Sequence, residues 1–186
     1  MLRDALTIPN AVSFVRLLAV PYFWWVLIGQ DRVGLAAALI FVIGSTDWVD
    51  GYLARRLDQV SEVGKILDPL ADRLMIVSAL VGGLVAGVIP GIIGGPLLAR
   101  EALVAAGAVY MGARGARPVD VRYLGKLATF LLYGAIPSFY LDSAGFVPWM
   151  FGPAAWISGA VGLFLYYWVG VEYVRDSKAV LAARAS

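Results

Sequence analysis

The sequence predicts an all-α integral membrane protein: six transmembrane helices joined by short loops, forming one domain over residues 1–186. Three observations predict it. First, 61% of the 186 residues are apolar and only 15% are charged, whereas soluble domains run near roughly half and a quarter. The mean hydropathy of +0.80 points the same way. Second, six stretches approach the ~20 apolar residues needed to cross a bilayer core. Third, Lys and Arg are segregated between alternate connections, as in membrane proteins of defined topology.

The first span, Ile8–Ile28, is interrupted by Asn10 and Arg16 and followed by further spans, so it is not predicted to be a signal peptide. Gln30-Asp31-Arg32 breaks it from the second, Val33–Ala54. A turn over Leu57–Val63 leads into the third, Ile66–Ile89. Pro90-Gly91 separates the fourth, Ile92–Gly112, and the fifth is Val121–Leu141. Asp142–Gly145 breaks the fifth from the sixth, Val147–Tyr173. There is no internal repeat and no low-complexity segment.

One set of segments carries Arg3, Arg55, Arg56, Lys65, Arg114, Arg117, Arg122, Lys126, Arg175, Lys178 and Arg184; the opposite set carries only Arg32. This predicts both termini in the cytoplasm and an even number of spans. Arg114 and Arg117 fit topology and anionic lipid alone. Trp149 and Trp156 fit interface anchors. The net charge of +2 therefore does not point to nucleic acid.

Cysteine and histidine are absent. That excludes disulfides, thiol nucleophiles, Ser-His-Asp triads and His/Cys zinc sites. Any chemistry must use carboxylates, Lys, Arg, hydroxyls and hard metal ions. Several ionisable residues nevertheless fall within the spans. Arg16, Arg73, Arg100 and Glu101 lie well inside, and Asp47, Asp50, Asp68 and Asp72 lie toward the cytoplasmic ends of spans two and three. Each costs at least about 2.5–3.5 kcal/mol on insertion scales, so they are expected to face inward and to serve function.

The aspartates are ordered. Asp47 and Asp50 share a helix face with Gly51 and Ala54, and Gly64, Asp68 and Asp72 repeat every four residues on another. A short turn makes the two helices antiparallel neighbours, so the acidic faces can meet. Four carboxylates in a partly dry pocket repel unless a cation neutralises them. Oxygen-only ligands favour Mg²⁺ or Mn²⁺, with Ca²⁺ also possible, and four aspartates could hold two ions. The small residues leave the helix faces bare, so a bulky ligand can approach; tight helix packing is their other use.

The pattern Asp-x2-Asp-Gly-x2-Ala-Arg-x8-Gly-x3-Asp-x3-Asp, filled at every position from Asp47 to Asp72, resembles the signature of the CDP-alcohol phosphatidyltransferase family. The six-span layout is also similar to that family's fold. The resemblance implies an enzyme that moves a phosphatidyl group from CDP-diacylglycerol to an alcohol and releases CMP. It implies that Asp47, Asp50, Asp68 and Asp72 hold the metals and that Asp72 is also the general base. Gly51, Ala54 and Gly64 would line the cytidine pocket, and Arg55 would bind the nucleotide phosphates. Pro9-Asn10 and Arg16 resemble the early Pro-Asn…Arg pattern of glycerophospholipid members, which puts Asn10 with the CDP-lipid and Arg16 with the acceptor. The resemblance also implies a homodimer, and the small residues of Val81–Gly95 would allow close helix contact.

The openings Thr7-Ile8-Pro9-Asn10 and Leu67-Asp68-Pro69-Leu70-Ala71-Asp72 look like the branch holding phosphatidylglycerophosphate synthases and cardiolipin synthases. The former typically carry another Arg two turns after Ala-Arg-Glu, where this chain has Ala108, and a second Lys where it has Ala128. A phosphate monoester such as glycerol 3-phosphate wants several fixed cations. Phosphatidylglycerol, a singly charged diester, needs fewer. The reading is therefore transfer to phosphatidylglycerol, giving cardiolipin, with glycerol 3-phosphate as the alternative acceptor. The aromatic run Tyr166-Tyr167-Trp168 points the same way. Arg100, Arg122 and Lys126 are the candidates for the acceptor phosphate. Two rivals are weaker: a small cation transporter would show an inverted repeat or broken helices, and an inactive family member would have lost metal ligands.

Overall fold

A computed structural model describes residues 8–44, 64–113 and 123–185. The described residues form helices and turns, without strands. In chain order they are α1 (Ile8–Trp24), a π-helical turn (Trp25–Gly29), α2 (Val33–Gly44), α3 (Gly64–Val85), α4 (Gly91–Ala113), α5 (Tyr123–Ser143) and α6 (Pro148–Ala185).

The breaks fall where the sequence puts them. α1 tolerates Pro21 and ends by widening to i→i+5 bonding, seen in Gln30 N–H donating to the Trp25 carbonyl at 3.0 Å. Asp31 then takes a positive φ of 54°, a conformation Asp adopts at little cost. Gly87, at φ 70°, closes α3, while Val88 and Ile89 N–H groups return to the Gly83 carbonyl. The Pro90 carbonyl starts α4 by accepting from Ile93 and Gly94. Gly145, at φ 74°, turns the chain between α5 and α6. α6 runs past the expected exit near Tyr173 to Ala185, because charged residues mark where a helix leaves lipid, not where it stops being a helix.

α5 and α6 form the most extensive pair, α1 packs on α3, and α3 on α4. Phe23 of α1, Leu27 of the π-helical turn, Leu80 of α3, Leu97 of α4, and Leu132 and Tyr140 of α5 are fully buried in one core. Glycines set the close approaches. A Cβ on Gly82 would meet Leu27 Cδ2 at 2.9 Å, and one on Gly162 would meet Leu132 Cγ at 2.8 Å. Gly82 is thus used within the chain, where α3 meets Phe23 and Leu27. The Tyr140 hydroxyl is held by donating to the Ala79 carbonyl at 2.7 Å.

The outer surface is apolar, with Ile92, Val109, Phe130 and Trp149 among many exposed large side chains. Lipid is the solvent that fits such a surface. By length and composition, α5 and the Pro148–Glu172 part of α6 can each cross a membrane. α3 and α4 carry charged residues in their length, and the described parts of α1 and α2 are shorter.

Candidate active site

Gly64, Asp68 and Asp72 lie on successive turns of α3, as their spacing predicts. α1 crosses this helix and brings Arg16 to it. Arg16 is buried at 5% exposure and its Nη1 donates to Asp72 Oδ1, pairing residues 56 positions apart. The Asp72 side chain keeps about a third of its surface open, 36%. Ser13, one turn before Arg16, is also buried. Asn10 lies on the first turn of α1; its side chain and that of Asp68 fall outside the described ones.

Arg16 and Asp72 form the charged end of a half-open cavity of about 370 Å³. α2 contributes Ile40, Phe41 and Ile43 to its wall, α3 contributes Met75, Ile76 and Ala79, and α5 contributes Tyr133, Ile136 and Pro137. An apolar chamber with a carboxylate and a guanidinium at one end suits an amphiphile whose polar group must reach that carboxylate.

Tyr133 connects this chamber to a second polar group. Its hydroxyl donates to Glu101 Oε1 at 3.3 Å. Arg100 Nη1 donates to the same carboxylate oxygen, and Arg100 Nη2 donates to the Thr129 hydroxyl at 2.8 Å. The Arg100 guanidinium lies 5.7 Å from the Tyr133 ring centre and 5.0 Å from that of Tyr166, within cation–π range. Arg73, next to Asp72, reaches Glu101 Oε2 at 3.7 Å through Nε. The expectation that charges inside the spans turn inward and meet one another holds for Arg16, Arg100 and Glu101, which are 5%, 7% and 2% exposed.

The structure therefore joins Arg16 with Asp72, and puts Arg100 among protein partners on α4, α5 and α6. Lys126 is exposed on the first turn of α5. Ala128 is fully buried. Asp47, Asp50, Gly51, Ala54, Arg55 and Arg122 lie outside the described residues. Sequence reasoning did not single out Ser13, Thr129 or Tyr133. The signal was present: Gly125, Thr129 and Tyr133 repeat every four residues and so share one face of α5.

The donor chemistry fits a hard divalent cation. Asp68 and Asp72 offer carboxylate oxygens only, one turn apart on α3. Among the described residues no group of three or more His, Cys, Asp or Glu side chains could hold a metal. The further donors expected from sequence, Asp47 and Asp50, are outside them.

Comparison with known proteins agrees with this chemistry. A cardiolipin synthase (CMP-forming) of Streptomyces coelicolor is 38% identical over 184 residues, covering 96% of this chain and 86% of that protein. A Mycobacterium tuberculosis protein provisionally named cardiolipin synthase is 33% identical, covering 95% and 85%. A CDP-diacylglycerol–glycerol-3-phosphate 3-phosphatidyltransferase of Bacillus subtilis is 32% identical, covering 89% and 92%. The family model described as CDP-alcohol phosphatidyltransferase matches residues 6–168, from α1 into α6. With the signature filled from Asp47 to Asp72 and nearly the whole chain matched, the protein belongs to the CDP-alcohol phosphatidyltransferase family, enzymes that transfer a substituted phosphate group.

Proposed function

We propose that the protein transfers the phosphatidyl group of CDP-diacylglycerol to a hydroxyl of phosphatidylglycerol, forming cardiolipin and releasing CMP. The observation that carries the reading is the position of Asp72: a partly open carboxylate at the charged end of an otherwise apolar cavity. A lipid acceptor can place its acyl region along such a wall and its headgroup hydroxyl at the carboxylate. The 38% identity to a CMP-forming cardiolipin synthase supports this acceptor. So does Ala128, an uncharged residue at a fully buried position of α5.

In this reading the six helices span the membrane as one domain, with termini and active site facing the cytoplasm, and the protein works as a homodimer. The acceptor hydroxyl attacks the phosphatidyl phosphorus as its proton passes to Asp72. The bond from that phosphorus to the oxygen shared with CMP breaks, and CMP leaves with the electron pair. Asp47, Asp50, Asp68 and Asp72 would hold Mg²⁺ or Mn²⁺, two ions in all, which when bound neutralise pyrophosphate charge. Gly51, Ala54, Gly64, Arg55 and Asn10 would receive the CDP-lipid. Arg16 fixes the Asp72 carboxylate toward the chamber and, with Arg122 and Lys126, would meet the acceptor.

Glycerol 3-phosphate is the second reading, favoured by the 32% identity to the Bacillus subtilis enzyme. Reconstituted protein given CDP-diacylglycerol, a divalent metal and one acceptor at a time separates the two. CMP release with phosphatidylglycerol and not with glycerol 3-phosphate is expected; the reverse refutes the cardiolipin assignment.

A further inference from the structure

Among the described side chains, three guanidinium groups, those of Arg16, Arg73 and Arg100, stand near two carboxylates, those of Asp72 and Glu101. The three arginines are not equally placed to take an anion. Arg16 is 5% exposed and engaged with Asp72. Arg100 is 7% exposed, bonded to Glu101 and Thr129, with the rings of Tyr133 and Tyr166 against it. An anion could reach Arg100 only by displacing these groups.

Arg73 differs. Its side chain is 37% exposed, and Nε alone meets Glu101, at 3.7 Å, a distance beyond a hydrogen bond. Its two terminal nitrogens have no partner among the described residues. The opposing Glu101 oxygen is buried and makes no hydrogen bond, so the pair lacks the two-point geometry of a purely structural Arg–carboxylate contact. A side chain that merely snorkels to the interface would extend its head into water; this one is drawn to a carboxylate that is 2% exposed on the neighbouring helix. That carboxylate is itself fixed by Arg100 and by the Tyr133 hydroxyl.

We propose that Arg73 binds a phosphate oxyanion of a lipid substrate, and that Glu101 and Arg100 are its positioning residues. Glu101 steadies the Nε edge and leaves the outer fork of the guanidinium to take two phosphate oxygens. Arg100 holds Glu101 in place. The inference rests on the phosphatidyltransferase reading. The oxyanion belongs either to the pyrophosphate of CDP-diacylglycerol or to the phosphodiester of the acceptor.

The test is steady-state CMP release by the full chain in mixed micelles, varying CDP-diacylglycerol and phosphatidylglycerol separately. Absence of release by the unaltered protein with any acceptor refutes the underlying reading, independently of Arg73. Given activity, Arg73→Gln is expected to raise one KM by about tenfold or more, the effect of losing a hydrogen bond to a charged group. A change in the donor KM assigns the pyrophosphate, and a change in the acceptor KM assigns the phosphodiester. Arg73→Lys should recover part of the loss, and Glu101→Gln should raise the same KM by a smaller factor while kcat holds. Should Arg73→Gln fail to fold, Arg73→Lys and Glu101→Gln decide. Both KM values unchanged in the folded variants would overturn the proposal, as would a loss confined to the fraction of folded protein.

Discussion

Asp72 can be tested by two substitutions that separate its chemistry from its electrostatics. Arg16 is buried, and its Nη1 donates to Asp72. Asp72→Asn keeps an oxygen able to accept that bond and removes the charge. The difference between a charged and a neutral hydrogen bond is about 1 kcal/mol, and partial exposure of Asp72 keeps it from being larger. Asp72→Leu removes the acceptor of that bond altogether. Losing a hydrogen bond between charged groups costs about 1.5–3 kcal/mol, and the open side of Asp72 argues for the lower end. Turnover should respond differently. Neither variant can take the proton, so kcat should fall by at least about 100-fold in both, the contribution of a positioned general base. Melting in detergent and CMP release from the same preparations give the two readouts. An Asp72→Asn protein with near-normal kcat would refute Asp72 as the proton acceptor. Equal destabilisation by Asn and Leu would refute a contribution of the Arg16–Asp72 bond to stability.

Chelation of divalent metal should abolish CMP release, and Mg²⁺ or Mn²⁺ should restore it; activity that survives exhaustive chelation would remove the metals from the mechanism. Tyr140→Phe loses the hydroxyl bond to the Ala79 carbonyl. It should cost about 1 kcal/mol and leave kcat unchanged, as measured by melting and turnover together. Ala128→Lys puts an ammonium at a fully buried position of α5. It should lower stability without conferring use of glycerol 3-phosphate, and a gain of that activity in a stable variant would show that the lost lysine alone sets the acceptor.

The helices were legible because their limits are written in local chemistry. Gly87 and Gly145 take positive φ where the chain turns, Pro90 opens α4, and Asp31 occupies the first loop. The inward turn of Arg16, Arg100 and Glu101 was legible because exposing them to lipid is expensive. Their partners were not. Helices that are apolar nearly all round carry little record of which face meets which neighbour, so nothing local tied Arg16 to Asp72 across 56 positions. The same gap hid the surroundings of Arg100, which Thr129, Tyr133 and Tyr166, from α5 and α6, provide in the fold. Of the acidic set, the α3 spacing is there, and Asp47 and Asp50 lie outside the described residues.

The arrangement of charge bears on how two anionic lipids can meet. CDP-diacylglycerol and phosphatidylglycerol repel each other, and bringing both to Asp72 adds a third negative group. In the proposed reading divalent ions on the aspartates offset the pyrophosphate. They cannot serve the acceptor equally well, because every charge they balance there is withdrawn from the leaving group. Arg73, which among the described residues meets Glu101 and not an aspartate, could meet the acceptor instead. A diester carries one negative charge and a monoester nearly two, so each cation added there favours the monoester more. Acceptor choice would then follow from the net charge of this group of helices as much as from cavity shape. Adding one cation beside Arg73 should favour glycerol 3-phosphate in the ratio of kcat/KM values, and neutralising Arg73 should disfavour it further. A ratio indifferent to both changes would mean that shape alone selects the alcohol.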